Sequence, residues 1–119
     1  MLRMLLIPLA ALATFLGPAT SGEAAGHKLT GVSGPGFTIT LRNGSTAVKT
    51  LAAGTYTIVV ADKSSVHNFH LFGPGVNKAT TVPFTGTRTW TVKLKPGKYT
   101  FQCDIHAASG MKGTFKVTR

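Results

Sequence analysis

The stretch Thr89-Trp-Thr-Val-Lys-Leu-Lys-Pro-Gly-Lys-Tyr-Thr-Phe-Gln-Cys103 decides the fold class. Trp90, Val92 and Leu94 alternate with Thr89, Thr91 and Lys93. In an extended chain that spacing puts the apolar side chains on one face and the polar ones on the other. Lys95-Pro96-Gly97 then makes a turn, because Pro fixes one backbone angle and Gly accepts conformations other residues avoid. Beyond it Tyr99, Phe101 and Cys103 share a single parity. Two alternating segments joined by a Pro-Gly turn read as neighbouring strands with one buried face.

The same period of two extends in both directions. Phe37, Ile39 and Leu41 oppose Thr38, Thr40 and Arg42, and Asn43-Gly44 ends that run. Tyr56, Ile58 and Val60 are entered from the Ala53-Gly54 turn. His67, Phe69 and Leu71 share a parity and are closed by Gly73-Pro74-Gly75, while Gly113, Phe115 and Val117 finish the chain. Downstream of residue 26 there is no segment with helical period, no internal repeat and no low-complexity linker. Aromatic and β-branched runs spaced about ten residues apart predict an all-β antiparallel sandwich or barrel of about seven or eight strands. A chain of 119 residues, 43% hydrophobic and 13% charged, suits one such domain with a modest core.

The N-terminal segment is read separately. Arg3 precedes the apolar run Met4 to Leu16, and small residues occupy Gly17 to Gly26. A basic start, a short apolar centre and a small-residue exit describe a secretory signal peptide over residues 1–25, cleaved between Ala19 and Ala25. The run contains Pro8 and is shorter than the roughly 20 residues a membrane-spanning helix needs. The domain over residues 26–119 is therefore expected to be exported, to the periplasm or the cell envelope, with no membrane span of its own and as a monomer.

Net charge is +10, and Glu23, Asp62 and Asp104 are the acidic residues. Such a field favours encounter with acidic protein surfaces. The lysines (Lys63, Lys78, Lys93, Lys95, Lys98, Lys112 and Lys116 among them) are scattered, without an arginine cluster or a reading motif, which argues against nucleic acid.

One cysteine, Cys103, is present. Exported domains pair their cysteines as a rule, so a lone thiol there calls for burial, an intermolecular bond or a metal. Cys103 ends a strand on the inward parity. His106 follows with two residues between, and Met111 follows His106 with four between. Upstream, His67 leaves the polar turn Asp62-Lys-Ser-Ser65 on the same parity as Phe69 and Leu71. One thiolate, two imidazoles and a thioether thus gather at one end of the sandwich, a soft donor set suited to electron-transfer copper. Structural zinc usually takes four strong ligands, and iron–sulfur clusters need more cysteines. His70 has the opposite parity and is expected on the outer surface, and His27 is expected in solvent. Cleavage after Ala24 would leave Ala25-Gly26-His27 as a terminal copper chelator.

The segment Cys103-Asp-Ile-His-Ala-Ala-Ser-Gly-Met111 resembles the ligand loop of the cupredoxins, the small blue copper proteins, with the spacing of the plastocyanin and pseudoazurin branch. Val66-His67-Asn68-Phe69 resembles the other half of that site. The resemblance implies a Greek-key sandwich holding one copper ion, with His67, Cys103 and His106 as equatorial ligands and Met111 as a weak axial one. It implies that Asn68 bonds across to the ligand loop near Asp104, and that the protein passes single electrons between redox partners rather than acting as an enzyme. Gln102 stands where plant plastocyanins often have Tyr, and their acidic patches are missing. Gly73, Pro74, Gly75, Gly36, Ala107 and Ala108 are expected to form a small uncharged collar around His106 for partner contact. Copper delivery or storage is the rival role, and a metal-free adhesive sandwich is a third.

Overall fold

The computed structural model describes residues 27–119, so the expected signal peptide lies outside the described residues. The strands, in chain order, are β1 (Lys28–Ser33), β2 (Ile39–Asn43), β3 (Thr46–Ala47), β4 (Thr50–Ala52), β5 (Gly54–Asp62), β6 (His70–Gly73), β7 (Val76–Ala79), β8 (Gly86–Leu94), β9 (Gly97–Gln102) and β10 (Lys112–Thr118). A single 3-10 turn, Ala107–Ser109, lies between the last two. They form two five-stranded sheets, in the orders β3-β2-β1-β5-β8 and β4-β10-β9-β6-β7. No helix among the described residues is long and apolar enough to cross a membrane.

The expected all-β sandwich is the fold, with two differences. Among the described residues ten strands form instead of seven or eight, because β3, β4 and β7 are two, three and four residues long, too short to show a period in sequence. The pairing is also not purely antiparallel. β1 runs parallel to β5, with Leu29 opposite Ile58, and β4 runs parallel to β10, with Leu51 opposite Val117. Thr89–Cys103 does fold back on itself, but its halves join different sheets, β8 pairing with β5 and β9 with β6 and β10.

Alternation places the core. Leu29, Ile58 and Val60 from one sheet share a core with Leu71 and Tyr99 from the other and with Phe69 just before β6, all with no exposed surface. Each such aliphatic or Phe side chain contributes roughly 1.5–3 kcal/mol of transfer free energy. Tyr99 and Phe115 stack at 5.3 Å, and Phe69 and Phe101 at 6.0 Å. The Tyr99 hydroxyl donates to the Pro74 carbonyl at 2.8 Å and accepts from the Lys95 amide at 2.9 Å, so burying it leaves nothing unpaired. His27 is half-buried rather than free in solvent. It stacks on Tyr56 at 4.7 Å, with its Nδ1 3.2 Å from the Thr55 carbonyl oxygen.

Glycine makes room for these rings. Gly113 pairs with Phe101 across β9 and β10, and a Cβ there would run into the Phe101 ring. Gly113→Ala therefore forces a shift in a packed aromatic column, and we expect it to destabilise the metal-free chain by about 1–3 kcal/mol. Denaturant unfolding checks this, and an unchanged midpoint would show that the ring has space to yield.

Candidate metal centre

Both halves of the site lie at the end of the sandwich where β5 and β9 terminate. Cys103 directly follows β9 and keeps the inward parity, fully buried. The loop it opens is closed by backbone bonds. The Cys103 amide donates to the Met111 carbonyl at 3.0 Å, the His106 amide to the Cys103 carbonyl at 3.2 Å, and the Met111 amide to the His106 carbonyl at 3.2 Å. Gly110, at φ 101°, takes the left-handed conformation that ends the 3-10 turn, and its amide donates to Ala107 at 3.1 Å.

His67 lies in the loop between β5 and β6, not in a strand as its parity suggested, since β6 begins at His70. Side chains hold this loop instead of a ladder. Buried Asp62 accepts from the Ser64 amide at 3.2 Å and from the Thr80 hydroxyl at 2.8 Å, and the same hydroxyl oxygen accepts from the Phe69 amide at 2.8 Å. The Ser33 hydroxyl donates to the Asn68 carbonyl at 2.9 Å. His67, Phe69 and Leu71 are buried as their shared parity predicts, but Asn68 between them is buried as well, because its amide has partners inside.

These loops bring three donors together. The Nδ1 atoms of His67 and His106 are 2.9 Å apart, and Cys103 Sγ lies 3.8 Å from the first and 3.5 Å from the second. The point equidistant from all three is about 2 Å from each, close to the metal–imidazole distance and slightly short for metal–thiolate. The donor set therefore fits one cation. His67 and Cys103 are buried and His106 is partly exposed. Met111 is buried at 1% exposure, and its backbone amide and carbonyl bond the other two residues of the loop.

Asn68 and Asp104 lock the two halves to each other. The Asp104 amide donates to Asn68 Oδ1 at 2.8 Å, and Asn68 Nδ2 donates back to Asp104 Oδ2 at 3.0 Å. Partial burial pushes the Asp104 carboxyl up, but hydrogen bonds from Gln102, His70 and Asn68, with the charge of His70, outweigh it and hold the group below its ordinary value.

The collar is built differently from expectation. Gly73-Pro74-Gly75 lies at the opposite end of β9 from Cys103, with the Pro74 ring 2.7 Å from where a Cβ on Gly97 would sit. It lies away from His106 because β6 runs antiparallel to β9, from His70 opposite Gln102 towards the start of β9. Ala107 and Ala108 do adjoin His106, in the 3-10 turn. The residue that sequence reading missed is Phe37. Assigned to the core by parity, it is 69% exposed and sets its ring edge-on against both histidines, 5.2 Å from His67 and 4.8 Å from His106. The signal was Gly34-Pro35-Gly36, which breaks the strand so that the alternation starts only at Ile39. Gly34 has φ +75° and passes 3.3 Å from the His67 ring, measured from its notional Cβ, which lets this loop lie over the site. Phe37, Val66 and Ile105 are the exposed large apolar residues of the described chain, and each touches or adjoins one of the two histidines.

No protein-family model and no curated protein matches this sequence. Solved structures do resemble it. Reduced rusticyanin superposes with a TM-score of 0.55 at 20% identity, over 76% of this chain and 78% of its own. Rusticyanin from Thiobacillus ferrooxidans gives 0.50 at 22%, over 76% of each chain. Dithionite-reduced auracyanin from the photosynthetic bacterium Roseiflexus castenholzii gives 0.55 at 23%, over 81% of this chain and 99% of its own. The chain has the cupredoxin β-sandwich fold.

The Asp104 interactions set an acid limit. A carboxyl lowered in the folded state adds stability above its ordinary range near pH 4 and loses it as pH falls through the lowered value. Native and Asp104→Asn chains, unfolded without metal, are expected to differ at neutral pH and to converge on acidification. A difference that stays constant with pH would contradict this.

Proposed function

We propose that the chain binds one copper ion through His67, Cys103 and His106, with Met111 as a weak fourth ligand, and carries single electrons between partner proteins outside the cytoplasm. The observation that carries the reading is the largely buried triangle of the Cys103 sulfur and two imidazole nitrogens. A thiolate with two imidazoles selects copper over harder cations, and a long axial thioether tunes its potential. Rusticyanin, which shares the fold, is itself a copper protein. Bound there, copper supplies the one-electron couple.

The chain's own residues supply the rest. Buried Cys103 keeps the thiolate from solvent and from other thiols. Backbone bonds around Cys103 and Met111, together with the Asn68–Asp104 lock, hold the donors in one arrangement, so that little rearrangement accompanies a change of charge. Partly exposed His106 is the electron portal. Around it Phe37, Val66 and Ile105 exclude water and give a partner an apolar surface on which to approach closely. The basic excess, 13 Lys and Arg against 3 Asp and Glu, steers acidic partners in. Residues 1–25, as a removed signal peptide, take the domain to its compartment.

Copper(II) added to the mature chain is expected to give an intense blue thiolate-to-copper band and a narrow parallel hyperfine splitting in electron paramagnetic resonance. Cys103→Ser abolishes both. Met111→Leu keeps the colour and raises the reduction potential, because a donor that stabilises the oxidised ion is lost. A colourless adduct of the native chain would overturn the proposal. Rapid loss of copper(I) to an acceptor, without reversible one-electron cycling, would reassign the protein to copper delivery.

A further inference from the structure

We propose that His70 is a positioning residue of the metal centre: through Asp104 it holds the Asn68 amide that fastens the His67 loop to the Cys103 loop. Sequence parity makes His70 an ordinary surface histidine. It does sit on the outer face of its sheet, at the start of β6, opposite Ala79 on β7 and Gln102 on β9. Yet neither ring nitrogen is left to water. Nδ1 lies 2.8 Å from Asp104 Oδ1 and Nε2 lies 2.6 Å from Asn77 Oδ1, with the ring packed at 4.8 Å against Phe72 and its side chain 22% exposed.

Asp104 is the link. Its side chain is 44% exposed, so packing alone does not fix its rotamer. Oδ1 is held from outside, by His70 at 2.8 Å and by Gln102 Nε2 at 3.0 Å, which turns Oδ2 inward to accept from Asn68 at 3.0 Å. Asn68 is one residue from His67 and Asp104 one residue from Cys103. The run His70–Asp104–Asn68 therefore spans both segments that supply the donor triangle. A carboxylate oxygen only accepts, so Nδ1 carries a proton whatever the charge of the ring. The Asn77 amide can turn to offer either oxygen or nitrogen to Nε2. The hydrogen bond from Nδ1 to Asp104 is the part of this contact that geometry fixes.

As a surface ion pair the contact would be worth little. Its importance lies in which carboxylate it orients, since outer partners of metal-ligand segments commonly change affinity by about 10–100-fold when removed. The inference rests on the copper reading for its functional meaning, but the geometry can be tested without metal. In the metal-free chain the Asp104 amide, bonded to Asn68, is expected to exchange its hydrogen about 10-fold faster in His70→Leu than in native protein, and copper affinity should fall about 10-fold. His70→Gln can still donate to Asp104 and should restore both, and Asn77→Ala, which leaves the Asp104 contact, should stay close to native. His70→Leu added to Asp104→Asn should cost nothing further in affinity, as expected for residues acting through one path. Native-like exchange in His70→Leu, or faster exchange with unchanged copper affinity, overturns the assignment. Should native protein give no blue adduct, the copper reading fails by itself, and the exchange comparison still decides what His70 does.

Discussion

Everything at the metal end depends on joining two loops that have no strand pairing between them. Asn68 and Asp104, 36 residues apart in sequence, do this with a reciprocal pair of hydrogen bonds, amide to side chain in one direction and side chain to side chain in the other. The sandwich alone cannot do it, because β6 starts three residues after His67 and β9 ends one residue before Cys103. Beyond those points the ladders stop and side-chain chemistry takes over. Buried Asp62, Thr80 and Ser33 extend the frame under the first loop, and backbone bonds between Cys103 and Met111 close the second. No buried side-chain nitrogen or oxygen among the described residues is left without a partner. A half-satisfied network here would cost more than an apolar one, so completeness is what makes a polar frame workable.

The fold was legible in the sequence where the inward positions of a strand are large and apolar; β1, six residues long, was not read because its inward positions are Leu29, Gly31 and Ser33. Tyr56, Ile58 and Val60, or Tyr99, Phe101 and Cys103, are buried on the parity their spacing predicts. The short strands β3, β4 and β7 left no such trace, and neither did the parallel pairings, which depend on how loops cross rather than on alternation. The donor residues were legible because thiol, imidazole and thioether are scarce in this chain, which has one Cys and four His. Their surroundings were harder to see. Parity has meaning only inside a ladder, and Phe37, Asn68 and the Pro74-Gly75 turn all lie outside one. Extending the alternation across Gly34-Pro35-Gly36 put Phe37 in the core, when the break in the strand frees it to cover the histidines.

Charge and exposed apolar surface are carried by different residues. Asp62 is buried with hydrogen-bond partners and Asp104 is engaged by His70, Gln102 and Asn68, so neither acidic residue of the described chain is paired with a lysine or arginine. The lysines are left to face solvent and set the sign of the long-range field. At the site itself the exposed large apolar side chains are Phe37, Val66 and Ile105. Long-range attraction and short-range contact are thereby assigned to different residues. Attraction speeds encounter without requiring a desolvated ion pair beside the donors, while an apolar face dries without stripping water from charged groups.

The same division bears on what kind of metal site this is. A protein that hands over its metal needs a ligand that can leave, and exposure is where leaving begins. Here His106 alone among the three donors is partly exposed, and it is held three ways: by its backbone bonds to Cys103 and Met111, by the 3-10 turn that follows it, and by Phe37 against its ring. His67 and Cys103 are buried in a frame whose polar groups are all paired. Releasing the ion would mean opening a loop closed at both ends. Electrons need no such opening, only an imidazole edge near the surface and a partner that can come close. Restraint on all three donors, with a single ring left at the boundary, is what supports the proposed transfer of charge over a transfer of metal.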